Sequence, residues 1–384
     1  MKILPQQSKK LLSTIFATAM LCVATPALSA DAPGWQESLR AGNSAFHALN
    51  LDDAQAKYQQ AVDDSASRGV DAQILALMLQ GQFFEALGKY ALAEDCYRRA
   101  SAAGASDWLI YLADVLAKQK KDEEAAKVRS QIHFFSVEEK KMIDDTYKRF
   151  WNRVMSAWPS RPITVISFNR ASSIIDATNV SWVQVVARFT GAVPSVVAAV
   201  DCSSGDRGVE RGALAAFDRL SMEKISNAPT HPFVLPMPFD FDVKMPPEKG
   251  EYPHRVTYQY DSVRRLASWQ AEHLTGDHPE VAVSLTRSAD LLLQLDKRKE
   301  AEAAYKRAAE IWSANGLKCS DAFIAFNAYG ASLMKSKKYA EAEDNFAHAA
   351  KLAEEIYPKH DFHRVDCEKN LAKAMQKNGK KVAE

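Results

Sequence analysis

The pattern of apolar and polar positions divides the chain into two long stretches with helical spacing and a central stretch of a different kind. Residues 35–127 and 260–381 place apolar side chains three or four positions apart, as amphipathic helices do. The central segments "PITVISF", "SWVQVVARF" and "PSVVAAVDC" are short and rich in β-branched residues, which predicts strands. The expected fold is mainly α, with a small α+β unit between two helical blocks.

Both helical stretches contain internal repeats of small and aromatic residues. In the first stretch, one set recurs 39 residues later. The aligned positions are Gly42, Ala54, Tyr58 and Ala61 in one copy and Gly81, Ala93, Tyr97 and Ala100 in the next. A third, weaker copy contains Leu112, Ala113, Leu116 and Ala125. A small residue lets two helices approach closely and the aromatic ring fills the space between them, so each copy predicts a packed helix pair.

The second helical stretch repeats more clearly, with a period of 41 residues. Its aligned positions are Ala289, Leu292, Ala301, Tyr305 and Ala308, followed by Gly330, Leu333, Ala342, Phe346 and Ala349. Residues 258–274 predict an unpaired helix before these copies, and "HRVDCEKNLAKAMQKNGKK" predicts one after them. The spacing in both stretches resembles the tetratricopeptide repeat (TPR), whose helix pairs stack into a solenoid.

The TPR resemblance implies a concave groove, lined by the first helix of each pair, that binds extended peptides or partner helices. In the N-terminal block the expected groove residues are Leu39, Asn43, Phe46, Met78, Gln82 and Glu85. In the C-terminal block they are Asp290, Asn327, Met334, Lys369 and Lys373, together with Val283, Thr286 and Ala331. The two-Lys, two-Asn clamp for a free carboxylate is not reproduced, because Leu39 stands where a Lys would accompany Asn43.

The central stretch begins at Ser136 and Glu139, whose spacing predicts a capping box and a helix. The predicted strands are 162–168, 181–189 and 194–202, with a hairpin turn at "TGAV", and a last strand runs from Phe239 to Val243. The segment "VDCSSGDRGVERGALAAFDRL", followed by a Pro-rich passage and "LPMPFDFDV", resembles the C-terminal domain of the TonB/TolA energy transducers over roughly residues 140–243. The resemblance implies that a sheet edge, at Phe239, Phe241 and Val243, pairs with an extended partner segment.

The sequence contains only weak candidates for a catalytic or cofactor-binding site. A hydrolase using the Cys202–His231 region is an alternative, but no G-x-S-x-G or phosphate-loop motif accompanies it. A turn with Gly205 and a helix cap at Asp206 explain the same segment. We expect no metal or other cofactor, because His360 and His363 lie in a linker where polar residues cap the next helix.

The first 30 residues have the basic, apolar and small-residue segments of a cleaved signal peptide. Its removal would eliminate three lysines and change the formal net charge from +1 to −2, which argues against a nucleic-acid partner. The expected location is periplasmic or secreted, where a disulfide between Cys319 and Cys367 is conceivable. The alternative is that the segment is retained as an anchor of a TonB-type energy-transducer component supporting outer-membrane transport.

The expected organisation is a signal peptide (1–30), an N-terminal TPR block (31–133), a TonB/TolA-like domain (136–243), a linker (244–257) and a C-terminal TPR block (258–384). The expected function is a non-enzymatic periplasmic scaffold that binds protein or peptide partners in the cell envelope. The pattern leaves open whether a groove or the sheet edge binds the partner, and the oligomeric state.

Overall fold

The computed structural model describes residues 34–145, 181–190, 195–203, 214, 233–241 and 253–379. The N-terminal block contains six α-helices: α1 (Gly34–His47), α2 (Leu51–Ser65), α3 (Val70–Ala86), α4 (Tyr90–Ala102), α5 (Leu109–Lys118) and α6 (Asp122–Arg129). Residues 137–145 are also helical. The capping box predicted at their start is confirmed, because the N–H of Ser136 donates to Glu139 and the N–H of Glu139 donates to Ser136 Oγ.

The C-terminal block also contains six helices: α7 (Pro253–His273), α8 (Pro279–Gln294), α9 (Arg298–Asn315), α10 (Ser320–Lys335), α11 (Tyr339–Ile356) and α12 (Phe362–Lys377). Helix α7 begins at Pro253, so the prediction of a linker through residue 257 is wrong at its C-terminal end. Proline is well suited to the first turn of a helix, since its fixed φ is already helical and its missing N–H has no partner there.

The helices pack as the repeats predict, in consecutive TPR-like pairs α1/α2, α3/α4, α5/α6, α8/α9 and α10/α11. A close contact between a glycine on the first helix and an aromatic ring on the second joins the pairs α1/α2, α3/α4 and α10/α11. A Cβ added at Gly81 would lie 2.5 Å from Tyr97 Cε1, and one at Gly330 would lie 2.9 Å from Phe346. Only glycine therefore lets these two helix pairs approach as closely as they do.

The linkers of the C-terminal block cap its helices. The side chain of His278 accepts a hydrogen bond from the N–H of Glu280 at the start of α8, and Asp361 accepts one from the N–H of His363 at the start of α12. Polar linker residues thus act as helix caps, as expected for this part of the chain. The suggested disulfide is not formed, since Cys319 and Cys367 are both buried free thiols.

The central segment contributes three strands: β1 (Ser181–Thr190), β2 (Ser195–Ser203) and β3 (Phe233–Phe241). They form an antiparallel sheet in the order β2-β1-β3, with Ala187 opposite Ala198 and Val185 opposite Met237. The two predicted strands of the hairpin are confirmed. The last strand begins at Phe233, six residues before the predicted start at Phe239.

The sheet lies against the first helix of the N-terminal block. Strand β2 contacts α1, and Gln36 Nε2 donates a 2.6 Å hydrogen bond to the carbonyl of Ala198. Ala198 itself is buried. The side chain of Gln36 therefore donates to a backbone carbonyl of the sheet. Without it, this carbonyl would be buried with no hydrogen-bond partner.

Several predictions lie outside the described residues. These are the signal peptide (1–30), the strand at 162–168, the turn after Ser203, most of the helix at 209–220, His231 and Val243. Among the helices that the structure describes, none combines the length and the apolar character needed to cross a bilayer.

Candidate functional site

The groove of the N-terminal block faces the C-terminal block, and the two blocks share one hydrophobic core. Helix α7 lies along the ends of α1 and α3. Gln270 Nε2 donates to the carbonyl of Ala86 at 2.7 Å, and His47 Nδ1 is 2.7 Å from Ser262 Oγ. Arg265 donates to the carbonyl of His47 at 3.0 Å. The C-terminal block therefore occupies space that an external ligand would otherwise fill.

A buried lysine lies at the centre of this contact. The ammonium of Lys118, at the end of α5, is 2.7 Å from Glu85 of α3, 2.8 Å from Glu280 of α8 and 2.6 Å from Asp321 of α10. Its side chain is only 1% exposed. A single cation thus joins three helices, two of which belong to the other block.

The start of α10 is capped across the same contact. Asp114 of α5 accepts hydrogen bonds from the N–H of Ser320, at 3.0 Å, and from the Ser320 hydroxyl. Arg129 of α6 lies 3.8 Å from Asp114 and donates to the carbonyl of Lys318. The N-terminal block therefore supplies a helix cap that the linker before α10 lacks.

Burial and mutual repulsion shift the protonation of these groups. Burial, with added repulsion from Glu85 and Asp321, raises the pKa of Glu280 to about 7. Burial and the nearby Asp321 raise the pKa of Asp114 to about 7 as well. Burial alone would lower the pKa of Lys118, but the surrounding carboxylates outweigh it and keep that pKa well above its ordinary value.

The predicted groove residues of the N-terminal block fall into two sets, one buried in the core and one lining a cleft. Leu39 and Met78 are completely buried in the core. Asn43, Phe46, Gln82 and Glu85 line a cleft of about 240 Å³ between the blocks, together with Lys118, Glu280 and Asp321.

The polar members of this cleft are also held within their own repeats. Asn43 accepts a hydrogen bond from the hydroxyl of Tyr58, and Glu85 accepts one from the hydroxyl of Tyr97 at 2.8 Å. In these two repeats the tyrosine of the second helix thus donates to a side chain that the sequence assigned to ligand binding.

The predicted groove residues of the C-terminal block are more accessible. Asp290 accepts a hydrogen bond from the hydroxyl of Tyr305, but Lys369 and Lys373 on α12 are exposed, and Met334 is half-buried. Lys369 forms an exposed ion pair with Asp366 at 3.5 Å. Asn327 Oδ1 is buried and accepts no hydrogen bond from the part of the chain that the structure describes.

Sequence reasoning missed the residues that join the blocks. Asp114 and Lys118 are the two charged residues in the otherwise apolar helix "LIYLADVLAK", and both are buried. Charged residues in such a helix are a signal, since their burial is costly unless they are paired. Their partners Glu280 and Asp321 carried no comparable signal, because acidic residues are common in the first turn of any helix.

The structure offers little for a catalytic interpretation. Cys202 lies in β2, one residue before its end, while His231 lies outside the described residues. Within the described ranges no three His, Cys, Asp or Glu side chains are grouped closely enough to hold a metal ion.

Comparisons with known proteins add two structural neighbours. No protein-family model matches the chain, and no curated protein matches its sequence. The TPR2AB domain of yeast Sti1 in complex with pHSP90 is 12% identical over 89% of this chain and 98% of that one, with a TM-score of 0.23. A tetratricopeptide repeat protein from Parabacteroides merdae is 12% identical over 90% of this chain and all of that one, with a TM-score of 0.25. Scores this low carry no argument about this chain, and the TPR-like description rests on its own helix pairs.

Proposed function

We propose that the protein is a non-enzymatic scaffold of the cell envelope that binds an extended protein segment in the C-terminal TPR-like groove. The single observation that carries the proposal is the difference in access between the two grooves. In the N-terminal groove the other block leaves a cleft of only about 240 Å³, whereas α10 and α12 keep Met334, Lys369 and Lys373 accessible.

The open part of the groove has the chemistry of a protein-binding surface. The half-buried Met334 supplies an adaptable apolar contact, and Asn327 supplies a buried carbonyl oxygen that accepts no hydrogen bond from the described residues. Exposed lysines beside them give the surface a positive charge, which favours a partner segment with acidic side chains.

Site-specific photocrosslinking in the native host tests this function. A photoreactive residue at Met334 should capture a discrete protein partner, while one at Leu92, which is 46% exposed on helix α4, should capture none. The double variant Lys369→Glu and Lys373→Glu should abolish the capture.

The matched control is Lys306→Glu with Lys351→Glu, which changes two exposed lysines on second helices of the same block. This control should leave capture unchanged. If capture at Leu92 equals that at Met334, or if both double variants reduce it equally, the groove is not the binding site.

Export is a separate part of the proposal, supported by the composition of residues 1–30. Mass spectrometry of the purified native protein should find a mature N-terminus near Ser29 or Ala30. Retention of the whole segment would instead favour the anchored, TonB-type alternative.

A TonB/TolA-like role for the central segment has narrower support, namely the hairpin followed by a third antiparallel strand. Proline is tolerated in a strand where its nitrogen faces away from the neighbouring strand. Pro236 and Pro238 therefore remove two donors from the outer edge of β3 and leave the N–H groups of Val234 and Asp240 there.

Asp240→Pro, which leaves only the N–H of Val234 at this edge, should weaken any edge pairing while sparing the pairing with β1. The double variant in the groove should leave edge pairing intact. Unchanged partner capture in Asp240→Pro would exclude the edge as a binding site.

A further inference from the structure

The contact between the two blocks has more carboxyl groups than cations. On the N-terminal side, Glu85 and Asp114 lie with Lys118 and Arg129. On the C-terminal side the charged groups are Glu280 and Asp321, neither of which has a cation of its own block within ion-pair distance among the described residues. The two cations, Lys118 and Arg129, thus belong to the N-terminal block, whereas the four carboxyl groups come from both blocks.

The remaining titratable groups around this contact add no positive charge that would compensate the excess of carboxyl groups. Burial raises the pKa of Tyr90, whose hydroxyl donates to Glu280 at 3.2 Å, so this phenol stays neutral. Burial and the nearby Lys118 lower the pKa of His278, which stacks on the Tyr90 ring and is thereby kept neutral near pH 7. Burial likewise raises the pKa of three further groups, which also stay neutral: Tyr97, Cys319 and Tyr357.

Arg287 lines the cleft on the α8 side, but it is exposed and forms no ion pair with these carboxylates among the described residues. Its charge is therefore screened by water and contributes little to the buried network.

We propose that this carboxyl-rich contact is a proton-dependent latch, which holds the C-terminal block in the N-terminal groove when protonated and loosens as the pH rises towards neutral. In the closed arrangement, protonating one or two carboxyl groups removes the repulsion without breaking the hydrogen bonds to Lys118 and Ser320. With all four ionised, two negative charges remain uncompensated inside the contact, and separating the blocks returns them to water.

The direction follows from the raised pKa values of Glu280 and Asp114. The closed state binds more protons than the open state between their ordinary values and about 7. The latch is therefore tightest below about pH 4, weakens as the pH rises towards 7 and changes little above 7. An open state would free Gln82 and Glu85 for a second partner, so the latch would regulate access to the groove that the proposed function leaves unused.

The chain carries its own probe of opening. Cys319 precedes the capped Ser320 at the interblock contact and is completely buried. Cys96 lies inside the N-terminal block, where it contacts Gln80, and Cys367 lies inside the C-terminal block, where it contacts the carbonyl of Phe346. Separation of the blocks should expose Cys319 and leave Cys96 and Cys367 protected.

The experiment measures the reaction of each thiol with N-ethylmaleimide by mass spectrometry, using the full chain without a partner. Each rate is divided by the rate of the urea-unfolded chain at the same pH, which corrects for thiol ionisation. Protection of Cys319 should fall by about tenfold or more between pH 5.5 and 8, with little change at Cys96 and Cys367.

The variant Glu280→Gln removes one charge and keeps the shape of the side chain, so it should reduce the pH dependence of Cys319 protection and leave only the part due to Asp114. Asp114→Asn should reduce the pH dependence in the same direction, which gives a second test if Glu280→Gln folds poorly. Glu123→Gln is the matched control, because Glu123 is exposed on α6 and forms no ion pair among the described residues.

Three results would overturn the latch. They are a Cys319 protection that does not change with pH, a parallel loss of protection at Cys319, Cys96 and Cys367, and identical pH profiles for Glu280→Gln and Glu123→Gln. None of them depends on partner capture at Met334, so the latch and the proposed function stand or fall separately.

Discussion

The two helical blocks share one repeat design but use their grooves differently. In both, a glycine on the first helix packs against an aromatic ring on the second, as Gly81 does with Tyr97 and Gly330 with Phe346. Helices α7, α8 and α10 of the other block reduce the N-terminal groove to a cleft of about 240 Å³, whereas the α10–α12 part of the C-terminal groove stays accessible. The same repeat can therefore serve as an internal joint or as a binding surface, depending on what packs against it.

The largest expected effect on stability is at the contact between the two blocks. Lys118→Met should lower the free energy of unfolding by about 3–5 kcal/mol at pH 8, because it leaves three carboxylates buried without their cation. The loss should be smaller at pH 5.5, where Glu280 is protonated. Urea denaturation measures both values.

The control for this prediction is Lys306→Met, since Lys306 is exposed on α9 and forms no ion pair among the described residues. It should change stability by less than about 0.5 kcal/mol. Equal effects of the two substitutions would show that the buried network does not hold the blocks together.

The next largest effect is the loss of stability when a glycine of a repeat is replaced by alanine. Gly81→Ala should cost about 1–3 kcal/mol, because the added Cβ would lie only 2.5 Å from Tyr97. Gly330→Ala should cost less, since its Cβ would lie 2.9 Å from Phe346. Gly276→Ala is the reference, with no heavy atom within 4 Å of its Cβ. Thermal unfolding ranks the three, and a cost at Gly276 equal to that at Gly81 would contradict the packing argument.

Helix capping gives a smaller difference. Asp361→Ala removes a local cap of α12 and should cost about 1 kcal/mol. Asp114→Ala removes the cap that α10 receives from the other block, and it should additionally expose Cys319 to maleimide. If Asp361→Ala exposes Cys319 equally, the interblock cap has no special role in keeping the blocks together.

The smallest effect is expected in the open groove. Lys373→Ala should change the free energy of unfolding by less than about 0.5 kcal/mol, because the side chain is exposed to solvent and is not part of the packed core. Partner capture at Met334 should nevertheless weaken. A large loss of stability would indicate that α12 is held by contacts of Lys373 and is not a free surface.

Much of the fold could be predicted because its signals are local. The repeat positions, the Ser136 capping box and the β1–β2 hairpin all depend on spacings of a few residues, and each has a direct steric or hydrogen-bonding cause. The start of α7 at Pro253 was missed because a Pro-rich passage resembles a linker until the following helix is seen. The start of β3 was missed for a similar reason, since Pro236 and Pro238 argue against a strand unless it lies at an edge.

The candidate site was only partly predictable. The sequence identified which residues face the concave side, including Asn43, Gln82 and Glu85, and the structure brings these three to one cleft. It assigned Leu39 and Met78 to the same surface, although both are completely buried. Helical periodicity gives the direction of a side chain but not what lies opposite it, so it cannot separate a groove from an internal contact.

The sequence by itself determined the helix pairs, the close glycine–aromatic contacts and the polar caps in the linkers, because these depend on neighbours within one repeat. Only the tertiary structure decided which groove remains accessible. That choice depends on pairs such as Lys118 with Glu280, 162 residues apart, and Asp114 with Ser320, 206 residues apart. No local pattern specifies such pairs, since an acidic residue in the first turn of a helix stabilises that helix whether or not a distant lysine reaches it.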